Sequence, residues 1–208
     1  MGVADGLAAA AWAWVLVDNV RLARRQRAAR AALGPALVGG RSVGTVARWL
    51  LAGVLLGGAA VLEHLTGGPV HVPVAVTACG LAMLAAGVVL HAAARRRLGV
   101  QWASEVTVLA GHELITAGPY AVVRHPIYLA VASMALGTVL VHPSAATGCL
   151  AVGLAGGIAL KVRAEERALG AVLGGRHAAY AARVPAILPR PRATWAALRN
   201  GLSSRWRE

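Results

Sequence analysis

Polar residues that could take part in binding or catalysis are concentrated in residues 112–128, which read HELITAGPYAVVRHPIY. Within this stretch, Gly118-Pro119 predicts a turn. Pro126 suits the first position of a helix, because the missing N–H of proline is not needed there. We therefore expect residues 120–125 to form a loop that leads into a helix beginning at Pro126.

The start of that helix is a candidate anion-binding site. Backbone N–H groups are free at a helix N-terminus, and the helix dipole is positive there. An anionic group would bind well in front of it. Arg124 and His125 would add charge-assisted hydrogen bonds to such a group.

A second polar cluster, KVRAEERALG, occupies residues 161–170. On a helix, Lys161 would lie one turn from Glu165, and Val162 one turn from Glu166. This spacing alone is equally compatible with an ordinary solvated helix end that carries intrahelical ion pairs.

Long apolar runs predict five membrane helices, which must position the two clusters. The candidate helices lie near residues 3–20, 45–65, 72–94, 126–141 and 145–162. A full crossing takes about 20 residues, so the last two would form a tilted or partly re-entrant hairpin around His142-Pro143-Ser144. A hairpin brings both polar clusters to the same membrane face. The predicted fold class is an all-α polytopic membrane bundle, with an amphipathic helix over residues 165–182 that ends before Pro185.

The composition favours a membrane protein over a nucleic-acid-binding protein. Hydrophobic residues make up 58% of the chain and charged residues 14%, whereas a soluble domain has about 25% charged residues. The net charge of +13 comes from arginines that lie between apolar runs, a pattern typical of membrane orientation. Cys79 and Cys149 lie within apolar runs and lack metal-ligand spacing, so we assign them no role.

The basic residues alternate between connections. Residues 21–44, residues 95–125 and the tail from residue 161 hold Lys and Arg, whereas residues 66–71 and 142–144 hold none. The positive-inside rule then predicts an external N-terminus and a cytoplasmic C-terminus. We divide the chain into N-terminal transmembrane helices (1–94), a core of loop, hairpin and C-terminal helix (95–189), and a basic tail (190–208).

Three motifs in this order resemble the isoprenylcysteine carboxyl methyltransferase family, which belongs with the membrane phospholipid methyltransferases. They read HELITAGPYAVVRHPIYL, EERAL and YAARVP, within about residues 98–189. The positions that match the first motif are His112, Gly118, Tyr120, Arg124, His125, Pro126 and Tyr128. The positions that match the other two are Glu165, Glu166, Tyr180, Arg183, Val184 and Pro185.

Some positions depart from the family's pattern. Lys161 stands where the family commonly has Arg, which keeps the charge but loses the bidentate fork. Ala130 stands where Gly is frequent, and Leu173 and His177 stand where an aromatic pair is frequent. Both acids and the Arg-His-Pro sequence are retained.

The resemblance implies that S-adenosylmethionine is the cofactor, bound at the cytoplasmic face without a Rossmann domain. Methyl transfer depends mainly on positioning and needs no metal. The residues assigned to cofactor binding are His112, Gly118, Tyr120, His125, Pro126, Tyr128 and Glu165. The residues assigned to catalysis are Arg124, Lys161 and Glu166. Arg124 and Lys161 would orient an anionic acceptor or neutralise a glutamate.

The methyl acceptor is less well defined by the sequence. The composition, rich in Ala and Arg, is typical of a GC-rich bacterial source, in which a prenylated C-terminal cysteine is not expected. We therefore expect an enzyme of the bacterial plasma membrane that O-methylates a lipophilic carboxylate, phenol or pyrone, with N-methylation of an amino phospholipid as the alternative. A membrane haem protein would need two facing histidines inside the bilayer, and no histidine pair lies in the middle of a predicted helix. A membrane scaffold leaves the ordered polar clusters unexplained, and sterol reductases of related fold are usually longer than this chain.

Overall fold

The computed structural model describes residues 3–25, 36–38, 71–99, 108–109 and 114–189. Its helices are α1 (Val3–Arg25), α2 (Val74–Leu98), α3 (Pro126–Val141), α4 (Ala145–Leu173) and α5 (Gly175–Arg183). A 3-10 turn covers Gly118–Ala121, and two short strands, β1 (Ala36–Val38) and β2 (Val108–Leu109), pair in antiparallel orientation. The predicted helical membrane bundle is confirmed, with this two-stranded ladder as an addition.

Three described helices are long and apolar enough to cross a membrane: Val3–Arg21 within α1, the whole of α2 and the whole of α4. α3 has 16 residues, which at 1.5 Å per residue spans about 24 Å, less than the ~30 Å hydrocarbon core. The helices predicted near residues 3–20, 72–94 and 126–141 are present with small differences at their ends. The helix predicted near residues 45–65 lies outside the described residues.

α4 is longer than the sequence analysis predicted. The helix expected to end near residue 162 continues to Leu173, and α5 follows after Gly174, whose φ is 52°. The boundaries predicted for an amphipathic helix over residues 165–182 are therefore wrong, because its first half is the end of α4 and its second half is α5. The alanines, glutamates and leucines after residue 162 favour helix, so the helix ends only where a glycine adopts left-handed backbone geometry.

Glycines allow α2 and α3 to pack closely in antiparallel orientation. A Cβ atom on Gly137 would lie 2.7 Å from the carbonyl oxygen of Gly80. Such close backbone approach through small residues is typical of membrane helix pairs. α1 packs beside this pair, where the Trp12 indole N–H donates to the Thr138 hydroxyl over 3.0 Å. The buried core between these helices consists of Ala8, Val15, Leu84, Met134 and Val141.

The two ends of the bundle differ in charge. At one end, Asp5 Oδ1 lies 3.3 Å from His142 Nδ1, so the start of α1 lies beside the turn between α3 and α4. Ser144 caps the start of α4 there. At the opposite end, the Arg97 side chain covers the backbone of Gly118, which begins the loop before α3. The arginine-rich end of α2 therefore lies beside the first polar motif.

Candidate active site

The loop before α3 starts with a tight turn. Gly118 has a φ of 64°, a left-handed conformation that favours glycine, and Pro119 lies near the start of the 3-10 turn. Tyr120 in this turn is buried, and its backbone carbonyl accepts a 2.6 Å hydrogen bond from the Tyr180 hydroxyl. The turn predicted at Gly118-Pro119 is confirmed, and Tyr180 connects it to α5.

The backbones of the first and third motifs pair directly. The Arg124 N–H donates to the Pro185 carbonyl and the His125 N–H donates to the Ala186 carbonyl, both over 2.9 Å. α3 begins at the next residue, as predicted, with His125 as its N-cap. The Tyr128 N–H donates to the His125 carbonyl. Because these amides already have acceptors, the start of α3 offers fewer donors to an anion than the sequence analysis predicted.

Arg124 joins three separate segments through its guanidinium group. Its Nε donates to Glu166 Oε1 over 3.0 Å and its Nη2 donates to Glu166 Oε2 over 2.7 Å. Its Nη1 donates to the carbonyls of Ala181 and Val184. The two charged side chains are 12% and 23% exposed. Arg124 thus holds the loop, α4 and the end of α5 together, with the bidentate geometry that arginine forms with carboxylates.

His125 lies between the two adjacent glutamates. Its Nε2 is 2.7 Å from Glu166 Oε1, and its Nδ1 is 3.5 Å from Glu165 Oε2. The imidazole is buried. A second buried histidine, His177 of α5, places its Nε2 3.7 Å from Glu166 Oε1. The two carboxylates are therefore surrounded by groups that can donate hydrogen bonds or carry positive charge.

A second set of contacts forms around Tyr128. Its hydroxyl donates to Glu165 Oε1, and its ring stacks on the His125 imidazole at a centroid distance of 5.8 Å. The Lys161 ammonium lies 5.8 Å from the centre of the Tyr128 ring, within the range of a cation–π interaction. Lys161 and Glu165, which the sequence places one helical turn apart, therefore both face this tyrosine.

Arg124, His125, Glu166 and His177 border a cleft of about 380 Å³, a volume that includes open solvent at its mouth, whereas Tyr128, Lys161 and Glu165 are not among its lining residues. Its apolar lining consists of Leu98, Leu114, Ile115 and Leu169. Its polar lining consists of Tyr120, Arg124, His125, Glu166, His177 and Tyr180. A few convergent polar groups on an apolar background are typical of small-molecule sites.

The tyrosines of the cleft are neutral hydrogen-bonding groups. Burial raises the pKa of the Tyr180 hydroxyl to about 12. Burial, together with the nearby Tyr180 and Glu165, also raises the pKa of Tyr120 above its usual range. Both phenols therefore remain protonated at neutral pH, so that each can donate a hydrogen bond.

The predicted site residues converge where the structure describes them. Those that line the cleft are Tyr120, Arg124, His125 and Glu166. Of the others, Gly118 shapes the loop and Pro126 begins α3. Glu165 contacts both His125 and Tyr128, and Lys161 lies over the Tyr128 ring. His112 lies outside the described residues. Their binding and catalytic roles remain predictions.

His177 and Arg183 lie in places that the sequence did not predict. His177, noted only as a departure from the family's pattern, lines the cleft. Its spacing of three from Tyr180 places both on one helix face, which was the available signal. Arg183, which matches the third motif, is exposed and its Nε donates to the Ala179 carbonyl.

Comparison with known families agrees with the motifs. Residues 79–171 match the isoprenylcysteine carboxyl methyltransferase (ICMT) family. The match begins inside α2 and ends near the end of α4, so it includes both polar clusters. It confirms the resemblance inferred from the sequence and supports a membrane methyltransferase of this kind. A comparison with curated proteins gave no match.

Proposed function

With the resemblance to the isoprenylcysteine carboxyl methyltransferase family confirmed over residues 79–171, we propose that the protein is an S-adenosylmethionine-dependent methyltransferase that O-methylates a lipophilic carboxylate. The observation that carries this proposal is the convergence of Arg124, His125 and Glu166 at one cleft, within the matched region.

The chemistry of the cleft fits the proposed cofactor. S-adenosylmethionine, when bound, supplies a methyl group on a positively charged sulfur, and it also carries an ammonium, a carboxylate, ribose hydroxyls and an adenine ring. Carboxylates at positions 165 and 166 suit the ammonium and the hydroxyls. The leucine and isoleucine side chains of the cleft suit the flat face of the adenine.

The contacts separate positioning residues from residues available to ligands. Both oxygens of Glu166 accept from Arg124, and one also contacts His125. We therefore propose that Arg124 and Glu166 mainly hold the loop and α4 in place. Neutralising a glutamate was one of the two roles that the sequence suggested for Arg124. Glu165 accepts from Tyr128 and is not among the residues that line the cleft; because it has no arginine partner among the described residues, we keep for it the cofactor-binding role proposed from the sequence.

The electrostatics favour an acceptor that is already ionised. A carboxylate has lost its proton at neutral pH, whereas a phenol needs a proton acceptor. The described carboxylates of the site are occupied as acceptors for Arg124, His125 and Tyr128, so a substrate that requires no base fits this arrangement best. Lys161, beside Tyr128, would orient the anionic group of the acceptor.

An amino phospholipid is the alternative acceptor. Two adjacent carboxylates would favour an ammonium headgroup, whereas Lys161 at the edge of the site would repel it. The products distinguish the two reactions, because mild base releases methanol from a methyl ester but leaves an N-methyl or aryl methyl ether bond intact.

The proposal is tested first by calorimetry with detergent-purified protein and S-adenosylmethionine. We expect micromolar binding that is lost in Arg124→Ala and retained in Arg167→Ala, because Arg167 is an exposed arginine on the same helix as Glu166. Absence of binding to folded wild-type protein with lipid restored would contradict the proposed cofactor.

The acceptor is then sought with methyl-labelled S-adenosylmethionine and membrane lipid extracts. We expect label in a lipid fraction that mild base releases as methanol. Lys161→Met should raise the KM for this acceptor about tenfold, the size of one charge-assisted hydrogen bond, without changing cofactor affinity. Label that resists base would instead favour a phenol or an amine as the acceptor.

A further inference from the structure

His177 on α5 is a polar side chain of the cleft to which the proposed function gives no role. Its imidazole is 8% exposed, and it is one of the residues that line the cleft. Its Nε2 is buried and has no hydrogen-bond partner in the part of the chain that the structure describes. A buried polar atom without a partner has lost its contacts with water and gained nothing in return, so a partner for this nitrogen has to come from elsewhere.

Glu166, the acid beside this nitrogen, already has its hydrogen-bond partners. Its Oε1 lies 3.7 Å from His177 Nε2, which is beyond hydrogen-bond distance. The same oxygen accepts from Arg124 Nε at 3.0 Å and lies 2.7 Å from His125 Nε2. A carboxylate oxygen has about two lone-pair positions, and these two contacts occupy them. A hydrogen bond to Glu166 therefore does not account for His177.

The surroundings of the ring favour a hydrogen-bond donor at Nε2. The negative oxygen of Glu166 at 3.7 Å attracts an N–H group and repels a nitrogen lone pair. The Nδ1 edge of the ring faces α4, because a Cβ on Gly170 would lie 3.9 Å from Nδ1. Nε2 carries a proton in one neutral form of imidazole and in the charged form. The ring is thus held between α4 and the cleft with an unused N–H group.

We propose that His177 donates a hydrogen bond from Nε2 to a carboxylate of a molecule bound in the cleft. This inference rests on the proposed function, in which the cofactor and the acceptor each carry a carboxylate. Hydrogen bonds to an ionised acceptor are the stronger ones in proteins. Glu166 does not repel such a group strongly, because Arg124 neutralises it in an ion pair of 2.7 Å. The inference gives a role to one of the positions that depart from the family's pattern.

The variant His177→Phe separates a ligand-binding role from a structural one. A phenyl ring keeps a planar side chain at this position and removes the N–H group. Because the N–H has no partner within the described protein, its loss should leave the Tm of ligand-free protein equal to or above that of wild type. If His177→Phe fails to fold, His177→Leu, which is also apolar and of similar size, takes its place in the measurements below.

The first measurement is calorimetric binding of S-adenosylmethionine and of its decarboxylated form, which lacks the carboxylate. If His177 binds the carboxylate of the cofactor, His177→Phe should weaken binding of S-adenosylmethionine about tenfold and leave binding of the decarboxylated form unchanged. His177→Gln, which keeps an N–H donor, should recover part of the loss. The control is His71→Phe, which changes an exposed histidine before α2 and should bind like wild type.

The second measurement is transfer of labelled methyl groups at increasing amounts of membrane lipid extract. If His177 binds the carboxylate of the acceptor, His177→Phe should need about ten times more extract for half-maximal rate, with unchanged cofactor affinity. Wild-type values in both measurements, or equal losses for the two forms of the cofactor, overturn the inference. Wild-type protein that binds no S-adenosylmethionine or transfers no methyl group contradicts the proposed function instead, so the two failures are distinct.

Discussion

The bidentate pair between Arg124 and Glu166 gives the sharpest quantitative prediction for this protein. We consider a double-mutant cycle of Arg124→Met, Glu166→Gln and the combined variant. If the pair holds the loop against α4, removing one partner should weaken cofactor binding strongly. Removing the second partner should then add little, because the interaction is already lost.

The size of the coupling follows from the contacts. Two hydrogen bonds join the groups, at 3.0 and 2.7 Å, and hydrogen bonds to charged groups contribute about 1.5–3 kcal/mol each when buried. The side chains are 12% and 23% exposed, so solvent screens part of this energy. We therefore expect a coupling energy of about 2 kcal/mol, which corresponds to about 30-fold in affinity.

The assay is the dissociation constant of S-adenosylmethionine for the four proteins, measured by calorimetry in one detergent and one salt concentration. Folding of each variant is checked by its thermal unfolding. Arg167→Met is the matched control for the loss of an arginine, because Arg167 is exposed. A coupling energy at or below about 0.5 kcal/mol, the level of an exposed ion pair, would refute the view that this pair organises the site.

Two further predictions concern the packing of the bundle and of the loop. Gly137→Ala should destabilise the protein by about 1–3 kcal/mol, since its Cβ would lie 2.7 Å from the Gly80 carbonyl oxygen. Gly153→Ala, where nothing lies within 4 Å, should instead be neutral or stabilising by up to about 1 kcal/mol; equal effects on denaturant unfolding would contradict the close helix crossing. Tyr180→Phe should lower the free energy of unfolding by about 1 kcal/mol, because the hydrogen bond to the Tyr120 carbonyl is lost. Because the pKa of Tyr180 is raised, its contribution to stability should be complete below pH 10.0, the usual pKa of tyrosine, and should be lost as the pH rises through about 12. Tyrosinate absorbance measures this titration, and a titration of Tyr180 near its usual value would show that it is not buried.

The sequence allowed much of the helical architecture to be predicted, because lipid imposes a strong length and hydropathy requirement on each crossing. The positions of the helix ends were predicted less accurately. α4 continues past residue 162 because polarity at a membrane surface does not end a helix, and only Gly174 interrupts it. The helix expected near residues 45–65 falls outside the described part of the chain, so that prediction remains open.

The candidate site was predictable as a set of residues but not as a set of partners. The paired glutamates and the Arg-His-Pro sequence were recognised from their order along the chain, and the hairpin required them to share one membrane face. Spacing alone equally allowed Glu165 and Glu166 to be part of an ordinary helix end. Only the fold showed that Arg124 binds Glu166, that His125 contacts both acids and that Tyr128 binds Glu165.

Local chemistry is thus what the sequence itself determined: apolar length sets the helices, glycine and proline set the turn before α3, and ordered motifs indicate the family. The tertiary structure decided which charges meet. The residues after α5 return to pair with Arg124 and His125, and α1 brings Asp5 close to His142. Such contacts depend on helix rotation and depth across long separations in the chain. A periodic pattern fixes which residues share a helix face, but it leaves the partner of that face undetermined.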